Sequence, residues 1–235
     1  MKINGYKILL IFFIILLIAI NYKTLDGFLV KNFSGQEQIK VERVIDGDTV
    51  VVNGTSVRLL GINTPEKGEK YYDEAKKFLE EKTLNKTLII ERHGKDKYYR
   101  DLGYLFYSSG ENINSEIVRN GYGNYYFYSG KDKYSEELIE AWEECIRNEI
   151  NLCSKSQDKC AECVEILTDE FIINNCGISC DIDNWEIKVE GRSKLIFNGS
   201  INSHERKKFN LSTDNSGGNL FLRDDEGKLV FWKEI

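Results

Sequence analysis

Alternating apolar and polar positions in the first half of the chain predict short β-strands. β-branched segments at 39–44, 49–52 and 56–60 are separated by Asp-Gly and Asn-Gly pairs, which favour tight turns. Two more segments of the same kind follow at 87–91 and 101–107. The pattern therefore predicts five strands.

Between and after these strands the apolar period changes to that of helices. One helix is predicted around residues 71–82, a short one begins at Asn114 and ends at Gly121, and a strongly amphipathic one runs from Ser135 to Ile150. Five strands and three helices in residues 38–155 predict an α+β domain, an OB-fold five-stranded β-barrel with helical cover.

The last third of the chain has no helical period. Six apolar segments separated by Gly-containing turns predict strands at 170–173, 185–189, 195–197, 208–211, 219–222 and 229–232. We expect residues 166–235 to form an all-β, immunoglobulin-like sandwich, joined to the barrel by a cysteine-bearing linker at 156–165.

The N-terminus has the pattern of an export signal. Lys2 and Lys7 precede an unbroken apolar run at 8–20, which is shorter than the about 20 residues that a membrane-spanning helix needs. The sequence predicts a signal peptide or signal anchor at 1–24 and a tether at 25–37. The protein is expected outside the cytoplasm, either secreted or anchored in the membrane through residues 8–20.

Six cysteines agree with export, because disulfides persist in oxidising compartments. Six cysteines allow 15 pairings, and the sequence does not choose among them. Zinc is the rival interpretation, since Cys160-x2-Cys163 and Cys176-x3-Cys180 have spacings typical of zinc sites. Cys145 lies on an apolar helix face and is also compatible with simple burial.

The net charge of −6 gives the chain no general attraction to a polyanion. Residues 37–155 carry 18 Lys and Arg against 22 Asp and Glu, and only the strip at 86–100 is positive. A polyanion is therefore expected to bind at a small, focused site that includes a metal ion.

Three short motifs supply the residue types for such a site. They are Asp46-Gly47-Asp48-Thr49, the segment 58–66 that contains Arg58 and Glu66, and Asp96-Lys97-Tyr98-Tyr99-Arg100. A metal-binding carboxylate, two guanidinium groups and a second carboxylate suit attack of water on a phosphodiester. The chain's only proline, Pro65, fixes a bend next to Glu66.

In order and spacing, these motifs resemble the staphylococcal nuclease (thermonuclease) family. The resemblance implies a calcium-dependent nuclease with an OB-fold barrel, cutting DNA and RNA with little sequence preference. It implies calcium ligands at Asp48, Asn63 and the Thr64 carbonyl, phosphate contacts from Arg58 and Arg100, and Glu66 as general base. Independently, calcium favours oxygen ligands and arginine can hold two phosphate oxygens at once.

One position departs from the family pattern, because Asn63 stands where an aspartate is usual. The amide still offers an oxygen, but the ligand set loses one negative charge, which weakens calcium binding or changes the metal preference. The C-terminal part resembles a lamin-tail domain through Asn174-Asn175-Cys176, 182–185 and 220–227, and no catalytic set is visible there.

Two other classes of protein stay open at this point. One is a catalytically weak OB-fold module that binds nucleic acid or protein at the cell surface, and the other is an adhesion protein whose working part is the C-terminal domain. A binder has no need for Glu66 beside the arginines, which favours the enzyme. Tyr98 and Phe127 are candidate base contacts, since aromatic rings stack on bases.

Overall fold

The computed structural model describes Tyr6 and residues 36–128, 130–168, 171–191, 194–211 and 218–234. Among these residues no helix is long and apolar enough to cross a membrane. The apolar run 8–20 and most of the expected tether lie outside the described residues, so the export signal and the anchor stay predictions.

The described residues from 36 to 155 form one six-stranded sheet and three α-helices. The elements are β1 (Gln36–Lys40), β2 (Arg43–Asp46), β3 (Thr49–Val52), β4 (Thr55–Leu59), β5 (Ile62–Asn63), α1 (Tyr72–Thr83), β6 (Thr87–Lys95), β7 (Asp101–Phe106), α2 (Ile113–Arg119), β8 (Asn124–Tyr125) and α3 (Ser135–Asn148). The sheet order is β1-β6-β7-β4-β3-β2, and β5 pairs with β8 outside it.

The expected strand at 39–44 is two strands, and this break closes the sheet. β1 and β2 lie at opposite edges, yet only Val41 and Glu42 separate them in the chain. Since two residues reach only about 7 Å, the sheet must curl until its edges meet. The OB-fold with three helices is thus confirmed, with six strands in the sheet where the sequence predicted five.

The remainder of the described chain is all-β. Its strands are β9 (Val164–Thr168), β10 (Phe171–Asn174), β11 (Cys180–Asp181), β12 (Glu186–Val189), β13 (Lys194–Ile196), β14 (Ser200–Ile201), β15 (Arg206–Lys208), β16 (Asn219–Arg223) and β17 (Leu229–Glu234). They form sheets of order β15-β10-β9, β11-β14 and β13-β12-β16-β17 around a second apolar core. The all-β prediction is confirmed, while the immunoglobulin-like and lamin-tail resemblances stay predictions.

Strand positions in this second part differ from the pattern at several places, since nine strands form where six were predicted, and β9, β11 and β14 were not expected. The expected strand at 208–211 ends at Lys208, and Phe209 and Leu211 are buried in the core beyond the strand. The expected linker at 156–165 already runs into β9, which begins at Val164. The apolar character of Phe209 and Leu211 is explained by burial alone, which is why the pattern extends that predicted strand too far, whereas β9 was not predicted at all.

The six cysteines form three disulfides, Cys145–Cys153, Cys160–Cys180 and Cys163–Cys176. The disulfide prediction is confirmed and the zinc alternative is wrong, since no free cysteine remains to bind a metal as thiolate. Cys145 is buried, as its helix face suggested, but it is also bonded. It fixes the end of α3 to the short 3-10 turn Asn151–Cys153.

The two parts share an apolar contact surface through β16. Leu220 and Leu222 point into the second core, whereas Phe221 between them packs into the core of the barrel. Trp142 of α3 contacts both Phe221 and Trp232, at ring-centroid distances of 5.7 and 5.8 Å. Because both faces of β16 are buried, the second part is fixed against the barrel, and a cleft forms beside this contact.

Candidate functional site

The site begins at the turn between β2 and β3, which carries Asp46 and Asp48. A Cβ atom on Gly47 would lie 2.7 Å from Thr64 Oγ1 and 2.9 Å from Ala75 Cβ. Only glycine allows the turn to approach the 58–66 segment and α1 so closely. Gly47 thus brings Asp48 within reach of Thr64, whose backbone N–H lies 3.4 Å from Asp48 Oδ2.

Arg58 connects the two acidic positions to the loop that follows β4. It pairs with Thr49 across β3 and β4, so its side chain lies beside Asp48, with which it forms an ion pair. Its Nη2 donates to Asn63 Oδ1 at 2.8 Å and to the Ile62 carbonyl at 3.3 Å. The guanidinium is therefore held by three partners, which leaves it little rotamer freedom.

The pKa values reflect this arrangement. Burial alone would lower the pKa of the Arg58 guanidinium, but the charge and hydrogen bond of Asp48 outweigh it and the pKa is raised. Burial, together with the neighbouring Asp48 carboxylate, raises the pKa of Asp46 to about 6. Two carboxylates close together with one guanidinium leave negative charge for a cation to neutralise.

Asn63 and Thr64 are positioned by a short strand pair. Asn63 on β5 lies opposite Asn124 on β8, and a Cβ atom on Gly123 would lie 2.7 Å from the Asn63 carbonyl oxygen. Thr64 is buried and Asn63 is half-buried, so both face the interior next to Asp48. The structure thus brings three predicted site residues, Asp48, Asn63 and Thr64, together around Arg58.

Glu66 lies on the outer side of the same loop. Its carboxylate is exposed, and its backbone N–H donates to Glu69 Oε2 at 2.9 Å while Glu69 N–H donates to the Glu66 carbonyl at 2.8 Å. This reciprocal pair and the buried Pro65 fix the backbone at Glu66. The side chain is thereby presented to solvent two residues along the chain from Thr64.

Arg100 directly precedes β7, which runs parallel to β4 with Arg58 opposite Leu102. Since alternate residues share a face, Arg100 lies on the same side of the sheet as Arg58, with roughly 8 Å expected between the two Cα atoms. Its Nε donates to Asp96 Oδ2 at 2.7 Å. The structure therefore places Arg100 beside the cluster but bonds it to Asp96.

The two candidate base contacts lie in different surroundings. Tyr98 is 67% exposed, and its ring centroid is 5.7 Å from the Arg100 guanidinium carbon. Phe127 is half-buried, stacks on Tyr125 at 5.2 Å, and lines a cavity of about 190 Å³ with Tyr126 and Tyr128. Tyr98 is accessible to a base, whereas most of the Phe127 ring serves packing.

Residues of the C-terminal part that the sequence analysis did not select also reach the site. Asn63 Nδ2 donates to Glu190 Oε1, and Lys188 Nζ lies 3.1 Å from Glu69 Oε2. Both lie along a cleft of about 290 Å³ between the two parts. The signal in the sequence is the alternation Glu186-Ile187-Lys188-Val189-Glu190, which predicts one polar strand face but does not reveal what that face meets.

The donor set at the cluster fits calcium. Asp46, Asp48 and Asn63 offer only oxygen atoms as ligands, and the two carboxylates supply the charge that a hard divalent cation requires. The close approach that Gly47 permits brings Thr64 against the turn that carries both carboxylates. The site is thus chemically suited to a calcium ion held by Asp48, Asn63 and Thr64.

Comparison with known proteins agrees with this geometry. The family model of staphylococcal nuclease homologues matches residues 56–155, a range that includes Arg58, Asn63, Thr64, Glu66 and Arg100 but not Asp48. No part of the described C-terminal sheets falls in that range.

Several nucleases are similar to about half of the chain. A thermonuclease of Staphylococcus intermedius is 31% identical over 128 residues, which cover 49% of this chain and 76% of that protein. A micrococcal nuclease of Shigella flexneri is 32% identical over 127 residues, covering 49% and 72%. A thermonuclease of Staphylococcus hyicus is 29% identical over 133 residues, covering 52% and 78%. With these similarities and the OB-fold barrel, the chain belongs to the family of staphylococcal nuclease homologues.

Proposed function

We propose that the protein is a calcium-dependent nuclease that hydrolyses phosphodiester bonds of DNA, RNA or both with little sequence preference. The observation that carries the proposal is the network in which Arg58 joins Asp48 to Asn63. Family membership supports a hydrolase of the nuclease type. The network adds a pre-organised guanidinium next to the oxygen atoms of Asp48 and Asn63, as phosphoryl transfer requires.

In this proposal Asp48, Asn63 and the Thr64 carbonyl hold calcium. A calcium ion held by these residues would supply the charge that polarises a phosphate oxygen. Arg58 contacts the phosphate, because its planar group has N–H donors beyond those that Asp48, Asn63 and the Ile62 carbonyl engage. Held in place before substrate arrives, Arg58 stabilises the charge that develops on the phosphoryl oxygens at little reorganisation cost.

Glu66 acts as the general base that removes a proton from the attacking water. The exposed carboxylate lies on a fixed loop backbone, so it can meet both water and substrate. Arg100 is the second phosphate contact, and substrate binding requires its guanidinium to face both Asp96 and the phosphate. Tyr98 beside it offers a stacking surface for a base or sugar.

We propose that the protein works outside the cytoplasm, secreted or held by residues 8–20. The three disulfides support this location, since such bonds persist where the medium is oxidising. We also propose that the OB-fold domain spans residues 38–155 and the C-terminal domain residues 166–235. In this proposal the C-terminal domain carries no catalytic residues of its own, and no binding partner is assigned to it.

The proposal is tested with the full chain on plasmid DNA and on single-stranded RNA, in calcium and in chelator. Glu66→Gln keeps the shape of the side chain and removes the base, so cleavage should slow by about 10²–10⁴-fold. Arg58→Lys should slow cleavage by about 10²-fold or more through loss of the planar contact. Glu74→Gln is the matched control, because it changes an exposed carboxylate that lies on α1 and not on the Glu66 loop. Its cleavage rate should equal that of the unaltered chain.

Calcium-independent cleavage, or Glu66→Gln cleaving like the control, would contradict the mechanism. Binding of nucleic acid without any cleavage by the unaltered chain would favour the binding module instead.

A further inference from the structure

One face of β12 and the residue after it form the wall of the cleft opposite the barrel. Glu186, Lys188 and Glu190 alternate with Ile187 and Val189, which are fully buried in the second core. Because alternate residues of a strand share a face, the three charged side chains point together toward the 61–69 loop of the barrel. The C-terminal part thus presents a charged strand face to the site.

Glu190 lies at the end of this face and contacts Asn63. It is 3% exposed, and its Oε1 accepts a hydrogen bond from Asn63 Nδ2. On its other side, Asn63 Oδ1 accepts from Arg58 Nη2 at 2.8 Å. A guanidinium only donates and a carboxylate only accepts, so the two neighbours fix the amide with its oxygen toward the Arg58–Asp48 cluster.

The backbone around Glu190 is tied to the strand pair that carries Asn63. Glu190 N–H donates to the Asn219 carbonyl at 2.8 Å, and Asn219 Nδ2 donates to the Tyr125 carbonyl at 2.7 Å. Tyr125 lies opposite Ile62 in the β5–β8 pair, one position from Asn63. Asn219 therefore links the backbone at Glu190 to the strand pair that carries Asn63, through one main-chain and one side-chain hydrogen bond.

We propose that Glu190 is a positioning residue of the barrel's cation site, which holds the Asn63 oxygen toward the ion and supplies the negative charge that Asn63 lacks. The inference rests on the calcium site proposed above. An aspartate at position 63 would place a second carboxylate against a buried Glu190, and like charges in contact are unfavourable. Amide and carboxylate thus occupy complementary positions, one from each part of the chain.

Calcium titration calorimetry on the full chain tests this directly, without reference to activity. Glu190→Gln keeps a hydrogen-bond acceptor for Asn63 but removes the charge, so calcium should bind about 10- to 100-fold more weakly. The double substitution Asn63→Asp with Glu190→Gln moves the carboxylate across the contact. It should restore the affinity to within about threefold of the unaltered chain, a recovery that a merely structural role would not produce.

Glu186→Gln is the matched control, since Glu186 lies on the same strand face but pairs with Lys194 at 3.0 Å. Its calcium affinity should be unchanged, and thermal unfolding of each variant without calcium verifies that it folds. Glu190→Gln binding calcium as tightly as the control or more tightly overturns the inference, and so does failure of the double variant to recover. Absence of calcium binding by the unaltered chain would instead remove the proposed cation site itself.

Discussion

The barrel and the C-terminal sheets are stabilised in different ways. Strands of the barrel reach nine residues in β6 and enclose one continuous apolar core. Strands of the C-terminal part have two to six residues, and two of the three disulfides lie among them. Short strands bury little surface each, so covalent links compensate where a small core does not suffice. The barrel holds itself together by packing, whereas the C-terminal part also needs its crosslinks.

The same comparison shows where the two parts depend on each other. Phe221, Leu229 and Trp232 of the C-terminal sheets belong to the barrel's core. The site lies next to this shared surface, with Arg58 from the barrel and Glu190 from the C-terminal sheets on either side of Asn63. The barrel and the C-terminal sheets thus pack as one unit around Asn63, where the proposed catalytic site lies.

The largest expected effect comes from removing the side chain that joins the parts. Trp142→Ala should destabilise the chain by about 3–5 kcal/mol, because it opens a cavity between α3 and β16. Urea unfolding can follow both regions at once. Circular dichroism reports the helices of the barrel, and fluorescence of Trp185, buried in the second core, reports the C-terminal part.

Both probes should shift to lower urea together, since Trp142 of the barrel packs against Phe221 and Trp232 of the C-terminal sheets. Trp142→Phe is the control, because it keeps an aromatic ring and removes an indole N–H that has no hydrogen-bond partner among the described residues. Its cost should be less than half that of alanine. If the dichroism signal shifts while Trp185 fluorescence does not, the parts unfold independently and the shared core contributes little.

A smaller, regional effect is expected from the disulfides. Cys160→Ser with Cys180→Ser opens a loop with a sequence separation of 20, for which chain entropy predicts a loss of roughly 3 kcal/mol. Hydrogen exchange measured by mass spectrometry should show lost protection in β10 and β15 before β6. The matched pair of substitutions is Cys145→Ser with Cys153→Ser. It removes the disulfide that closes a loop with a separation of only 8 at the end of α3.

That second pair should cost roughly 2.5 kcal/mol on the same entropy model and should act on α3 of the barrel instead. Equal loss of protection in β6 and β10 after the first pair would mean that the disulfides stabilise the whole chain and not one region.

Much of the barrel and its cluster could be predicted because the signals are local. Turn residues, alternating strands and helical periodicity act over a few neighbours, and the order of Asp48, Arg58 and Asn63 along consecutive strands already implies that they meet. The contact between Asn63 and Glu190 spans 127 positions. Apart from the alternating pattern of the strand before Glu190, nothing in the sequence indicates that these two residues meet. Only the packed structure reveals the contact.

Other features could not be predicted for related reasons. Disulfide pairing depends on which strands meet, and composition alone leaves 15 choices. The break between β1 and β2 follows from closure of the barrel, since the local pattern from Ile39 to Val44 is equally suited to one strand. The bond from Arg100 to Asp96 shows that a motif can indicate the face on which a side chain lies without indicating its partner.

The smallest expected effect compares one glycine from each part. Gly47→Ala should cost about 1–3 kcal/mol, because the added methyl group would lie under 3 Å from Thr64 Oγ1 and Ala75 Cβ and the Asp46–Asp48 turn must move. Gly177, in the loop between Cys176 and Cys180, has nothing within 4 Å of an added Cβ. Gly177→Ala should therefore change stability by less than about 0.5 kcal/mol. Urea unfolding midpoints measure the stability of both variants, and calcium titrations measure their calcium affinity. Since Gly47→Ala moves Asp48 away from Thr64, it should also weaken calcium binding, whereas an unchanged affinity would show that the turn's close packing serves the fold alone.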